Sequence, residues 1–167
     1  MTPDFRSIKK AKTALKTKSP SKIPTKPSSS DVHEIVYFQR HKDDDPNQTI
    51  PGRDFLASCP PSVAARIMRV LIAVAAAPPN RFAGGGYWEA MKSPMNGWYE
   101  VRVDGPRRRH YRLFCRLDYE AINESKPLLV VITGKSKPFQ TELSENDYLT
   151  VNSLGNEYFR RNPRSIA

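Results

Sequence analysis

Two neighbouring stretches of the chain place ionisable side chains at every second position. In Trp98–Asp104 (WYEVRVD), Tyr99, Val101 and Val103 point one way, and Trp98, Glu100 and Arg102 the other. In Arg109–Leu117 (RHYRLFCRL), Tyr111, Leu113, Cys115 and Leu117 form the apolar side, opposite His110, Arg112, Phe114 and Arg116. One face of the pair therefore gathers Glu100, Arg102, His110, Arg112 and Arg116. That set suits a phosphodiester. Guanidinium forks match phosphate oxygens and stabilise the charge that grows in the transition state. RNA carries its own nucleophile, the 2′-hydroxyl. Cutting it needs a base for that proton, cations on the phosphorane, and an acid or cation at the leaving oxygen. Glu100 beside Arg102, with His110 and Tyr111 near Arg112, supplies those types without a metal or cofactor. Trp98 and Phe114 on the same face offer rings for stacking bases, or for packing under a helix. The plain alternative is that such arginines only solvate an exposed strand and protect its edge.

A second basic feature follows Pro127–Thr133 (PLLVVIT), an apolar run that reads as a strand buried on both faces. The next residues, Gly134–Pro138 (GKSKP), read as a loop whose Lys135 and Lys137 bind phosphate. The GxxxxGK[ST] pattern of a P-loop is absent, and Gly84–Gly86 lacks the GxGxxG context and reads as a flexible connection. Cys59 and Cys115 stand in no CxxC or Cys/His spacing, which points away from a metal site and fits a reducing compartment. Neither Ser62 nor Cys59 has a partnered histidine at recognisable spacing, so a hydrolase triad has no support.

The elements that must position these residues are readable from period and punctuation. Glu34–Arg40 (EIVYFQR) reads as a strand, and Gly52–Ser58 as a short helix. Ser62 to Ala77 is the strongest helix, with Ser62 as cap after Pro60–Pro61 and a stripe of Val63, Ile67, Val70, Leu71 and Val74. The two alternating segments form an antiparallel hairpin turning at Gly105–Pro106. Ser144–Arg161 closes the domain as a helix, with Ser144 and Asp147 as a capping box and Tyr148, Val151, Leu154 and Tyr158 as its inner stripe. These segments predict an α+β fold: a small twisted sheet of about four strands, antiparallel with a mixed edge, helices packed on one face, and a C-terminal helix. The other sheet face stays partly open and carries the ionisable set.

Charge divides the 167-residue chain. Residues 1–30 hold eight Lys and Arg against one acid, a net of +7, and the remainder nineteen against sixteen, a net of +3. Low apolar content with high charge predicts a disordered basic tail over 1–30 and one folded domain over 31–167. Such a tail attracts polyanions in a salt-dependent way, or simply solvates the chain. The longest apolar stretch, Val70–Ala77, is far short of a bilayer span, and no hydrophobic leader is visible, so a cytoplasmic protein without membrane contact is expected.

The stretches GWYEVRVDGPRRRHYRLFCRLD and LLVVITGKSKPFQTELSENDYLTVNSLGNEYFRRNPRSI, behind the helix PSVAARIMRVL, resemble the RelE/ParE toxin superfamily, particularly its HigB-like and phage-derived members. The likeness covers about residues 33–161 and is densest over 97–139. It implies a RelE-like fold and an mRNA-cleaving toxin, often ribosome-associated, neutralised by a helix-turn-helix antitoxin. Arg102 matches the basic residue of the first hairpin strand and Arg112 the arginine of the second strand's Y-R motif. Lys135 and Lys137 match the basic loop. The family's catalytic Tyr or His near the C-terminus has no clear match; Phe139 stands in the basic loop's neighbourhood. Other superfamily members poison gyrase or are inert, so a binding-only toxin and a nucleic-acid-binding protein of the same fold are the alternatives.

Overall fold

The computed structural model describes residues 24–77 and 87–167. Five strands form one mixed open sheet in the order β1-β5-β4-β3-β2. They are β1 (Glu34–Tyr37), β2 (Trp88–Ala90), β3 (Trp98–Gly105), β4 (Arg109–Asp118) and β5 (Leu128–Pro138). β1 runs parallel to β5, and the other pairs are antiparallel. Among the described residues three α-helices complete the fold: α1 (Pro51–Ser58), α2 (Pro61–Ala76) and α3 (Glu145–Phe159).

The sheet is covered differently on its two sides. On one, Val63, Ile67 and Leu71 of α2 pack on Val101, Val103 and Leu113. On the other, Val151 and Tyr158 of α3 pack on Trp98, Phe114, Val130 and Ile132. Gly155 lets α3 approach this closely, because a Cβ there would sit 2.4 Å from the Trp98 ring. α3 covers only the half of the face nearest the start of β3. The half near the β3–β4 turn remains open.

Several expected boundaries move, each for a physical reason. The sheet has five strands rather than four, because Trp88–Ala90 is too short to show a period. Pro60 rather than Ser62 occupies the cap of α2, with Pro61 opening the helix, where its missing N–H is no loss. The strand begun at Glu34 stops at Tyr37. Phe38 then bridges to Ile166, and the chain end pairs along the β1 edge through Tyr37 and Ala167. The predicted capping box at Ser144 and Asp147 is present in both directions.

The largest difference concerns Gly134–Pro138, which continues β5 instead of forming a loop. Phe114 pairs with Thr133 but Cys115 with Val131, so Ile132 is an extra residue in the ladder. That bulge shifts the alternation by one. Without it, Lys135 and Lys137 would point toward α1 and α2. With it, they pair with Arg112 and His110 and share the open face.

The expected tail falls mostly on residues 1–23, outside the described residues, as does the connection around Gly84–Gly86. The last of that stretch, Ser28–Asp31, is a turn held by Lys126, whose Nζ donates to the Ser29 and Asp31 carbonyls at 3.1 and 3.0 Å. Among the described residues no helix is long and apolar enough to cross a membrane.

Candidate functional site

Register sets the open face out as rows across the strands. Glu89, Glu100 and Phe114 lie in one row, and Arg102, Arg112 and Lys135 in the next. Asp104, His110 and Lys137 make the third, nearest the turn. Strands about 4.8 Å apart bring such neighbours into contact.

Glu100 and Glu89 organise the arginines. Arg102 Nη1 donates to Glu89 Oε2 at 2.6 Å, while its Nε lies 3.1 Å from Glu100 Oε1. The other Glu100 oxygen faces Arg112 Nε at 3.9 Å. Arg112 is only 9% exposed. Burial pulls its pKa down and Arg102 adds to that, whereas Glu100 raises it. A guanidinium stays charged under such pressure, so Arg112 is a positive charge held largely out of water.

The third row holds a histidine–carboxylate pair. His110 Nδ1 bonds the Asp104 carboxylate across the hairpin. With Asp104 accepting from Nδ1–H, the lone pair is left on Nε2. The His110 ring stacks on Phe139, with centroids 4.4 Å apart, and the Arg108 guanidinium lies 5.5 Å from the Phe139 centroid. Phe139 thus transfers no proton itself but fixes the plane of a ring that can. Lys137 pairs with His110 across the strands. Burial, and then Arg112, lowers its pKa, which makes its ammonium a readier acid. Lys135 is 3.6 Å from Asp147 at the start of α3, so its charge is partly engaged.

A hollow of about 390 Å³ opens among Arg66, Tyr87, Arg102, Asp104, His110 and Arg112. Of the alternating face that the sequence singled out, Arg102, His110 and Arg112 line it, while Glu100 lines a neighbouring hollow. Arg116 and Trp98 lie beneath α3. Trp98 is 2% exposed, its indole donates to Asn152 at 2.8 Å, and Arg116 stacks between the Trp98 and Phe159 rings. Both therefore pack the α3 interface instead of meeting RNA.

Four contributors lie outside the sequence-based set. Asp104 continues the Glu100/Arg102 alternation by one more step, so its signal was present. Glu89 sits on the strand too short to recognise, and Arg66 and Tyr87 arrive from another helix and from the sheet edge. Among the described residues no cluster of three or more His, Cys, Asp or Glu side chains is placed to hold a metal ion. Burial pushes the Cys59 thiol up to about 11, away from nucleophilic use. No protein-family model matches the chain, and comparisons with curated proteins and with solved structures return no match.

Proposed function

We propose that the chain is a cytoplasmic endoribonuclease toxin of the RelE/HigB kind, cutting messenger RNA and held in check by a helix-turn-helix antitoxin. One observation carries this reading: the cationic row Arg102–Arg112–Lys135 lies directly beside the row Asp104–His110–Lys137, and Arg102, Arg112, Asp104 and His110 line one hollow. Arg102 and Arg112 hold the non-bridging oxygens of the scissile phosphate. His110 Nε2 takes the proton of the 2′-hydroxyl as the 2′ oxygen bonds to phosphorus. The bond from phosphorus to the 5′ oxygen breaks, and that oxygen takes a proton from the Lys137 ammonium. The products are a 2′,3′-cyclic phosphate and a 5′-hydroxyl end. Since the RNA supplies the nucleophile, the scheme needs no metal-activated water.

A binding-only toxin, directed at gyrase or another protein, is favoured by a different observation. Glu89 and Glu100 already engage the arginines that would meet phosphate. Controlled expression with mapping of RNA ends separates the two. Cleavage predicts growth arrest with new 5′-hydroxyl ends in messenger RNA. Arrest without new ends selects the binding-only reading. Neither arrest nor new ends leaves a nucleic-acid-binding protein of the same fold.

A further inference from the structure

The hollow beside Arg112 does not end at the sheet edge. A second, of about 210 Å³, is walled by Arg69, Val70 and Val103. Arg66 and Tyr87 line both. The surface therefore runs continuously from the open sheet face, past Tyr87, onto α2. Arg66 and Arg69 are three residues apart on that helix and share its face. Arg66 is tied to the sheet, since its Nη1 donates to the Asp104 carbonyl at 2.7 Å. Tyr87 is tied as well: its carbonyl accepts from the Arg102 N–H at 2.9 Å. Its ring nevertheless stands in solvent, the residue being 60% exposed. Of the exposed large apolar residues Val32, Tyr87, Tyr119, Ile122 and Leu149, Tyr87 is the one that lines these two cationic hollows. Among the described residues no acid lines the second hollow, and the one acid of the first, Asp104, is bonded to His110.

We propose that this strip is a second subsite for single-stranded RNA, which rests on the ribonuclease reading for what lies at the first. Tyr87 stacks the base of the nucleotide adjoining the scissile phosphate, and Arg66 and Arg69 hold the phosphate beyond it. Cations alone would suit any polyanion. The exposed ring between them favours a strand with unpaired bases, because a base offers a flat face to stack while an acidic peptide does not. A duplex would keep its bases from Tyr87. Arg69, though on the helix rather than the sheet, is thus a substrate contact.

The test uses the full chain and fluorescently labelled oligonucleotides carrying 2′-O-methyl groups, which cannot be cut. Binding is measured for an octanucleotide, single-stranded and annealed to its complement, over a range of salt. Tyr87→Ala should weaken the single strand about fivefold to a hundredfold, as for loss of one stacked base, and leave the duplex unchanged. Tyr87→Phe, which keeps the ring, should restore binding. Arg69→Ala should lower the slope of log affinity against log salt by about 0.7, one phosphate on a single strand. Lys42→Ala, an exposed charge near the opposite edge of the sheet, should change neither quantity. Equal losses for both forms, or a single strand indifferent to Tyr87→Ala, would overturn the subsite, as would no binding of RNA by the unaltered chain. Displacement of the RNA by polyglutamate that is sensitive to Arg69 but not Tyr87 would assign the strip to an acidic protein instead. The expected binding pattern without RNA cleavage in cells would keep the subsite and remove the catalytic reading.

Discussion

Arg112 sits at the centre of the cationic row, with Arg102 on one flank and Lys135 on the other. Its burial means that little water screens its charge from a bound phosphate. If the phosphorane forms there, Arg112→Ala should slow cleavage by about 3–4 kcal/mol of barrier, comparable to losing one oxyanion donor. Arg112→Lys should not restore the rate, because an ammonium lacks the fork. Arg102→Ala and Lys137→Ala should lose less. Single-turnover cleavage of a defined RNA measures all four, with Lys42→Ala as the matched loss of charge. In the proposed scheme Asp104 acts through His110, which its carboxylate holds. Asp104→Asn should cut kcat by about 10²–10⁴ with little change in KM, since the amide no longer sets the tautomer that leaves Nε2 free. Equal kcat in Asp104→Asn and the unaltered chain would remove His110 as the base. At this scale the sequence was informative wherever alternation held. It identified Glu100, Arg102, His110 and Arg112 on one face, and the same period reaches Asp104. It placed Trp98 and Arg116 there too, because alternation reports the side of a sheet and not what covers that side.

The elements were legible in proportion to their length. α2, the hairpin strands and α3 have enough residues to display a period, and each lies within one or two residues of its expected bounds. β2 has three residues and displays none. The bulge at Ile132 leaves no mark in an unbroken apolar run, so the strand character of Gly134–Pro138 and the direction of Lys135 and Lys137 were hidden together. Phe55 of α1 packs where a side chain at position 134 would otherwise lie, only 2.0 Å from an added Cβ. A glycine at that spot read as the end of a strand when it was in fact the seat of a helix. The stripe on α2 is the clearest link from pattern to packing. Ile67 is fully buried against the sheet. Ile67→Ala should destabilise the protein by about 2–5 kcal/mol in equilibrium denaturation, through lost transfer energy and a residual cavity. A change below about 1 kcal/mol, typical of surface substitutions, would mean that α2 does not pack this stripe.

Over the whole molecule, two buried ionisable groups close the sheet at the end away from the site, and they respond to acid in opposite chemical senses. His33 precedes β1 and is 2% exposed, its Nε2 3.3 Å from the Tyr119 hydroxyl and its Nδ1 without a partner among the described residues. Burial lowers its pKa below the usual 6.5. An unfolded chain therefore takes up this proton first as pH falls. The His33 contribution is fully present above about 6.5 and is lost as pH drops toward the lowered folded value. Asp118, at the end of β4, behaves as a paired carboxylate. Burial would raise its pKa, but hydrogen bonds from Arg164, Tyr158 and the Glu120 N–H outweigh that and hold it below the usual 3.8. Its contribution is present above 3.8 and is lost as pH falls through the depressed value. The two losses thus occupy separate windows. Urea midpoints taken across pH should fall first below about 6.5 and again below about 4. His33→Phe, a neutral ring of similar bulk, should flatten the upper window and leave the lower one intact. Arg164→Ala should do the reverse. It strips the cation 2.7 Å from a nearly inaccessible carboxylate and costs about 3–5 kcal/mol at neutral pH; with Asp118 no longer held so far below 3.8, the loss below about 4 shrinks. An upper window unchanged by His33→Phe would show that another group carries it, and that His33 is not the histidine whose burial couples this edge of the sheet to pH.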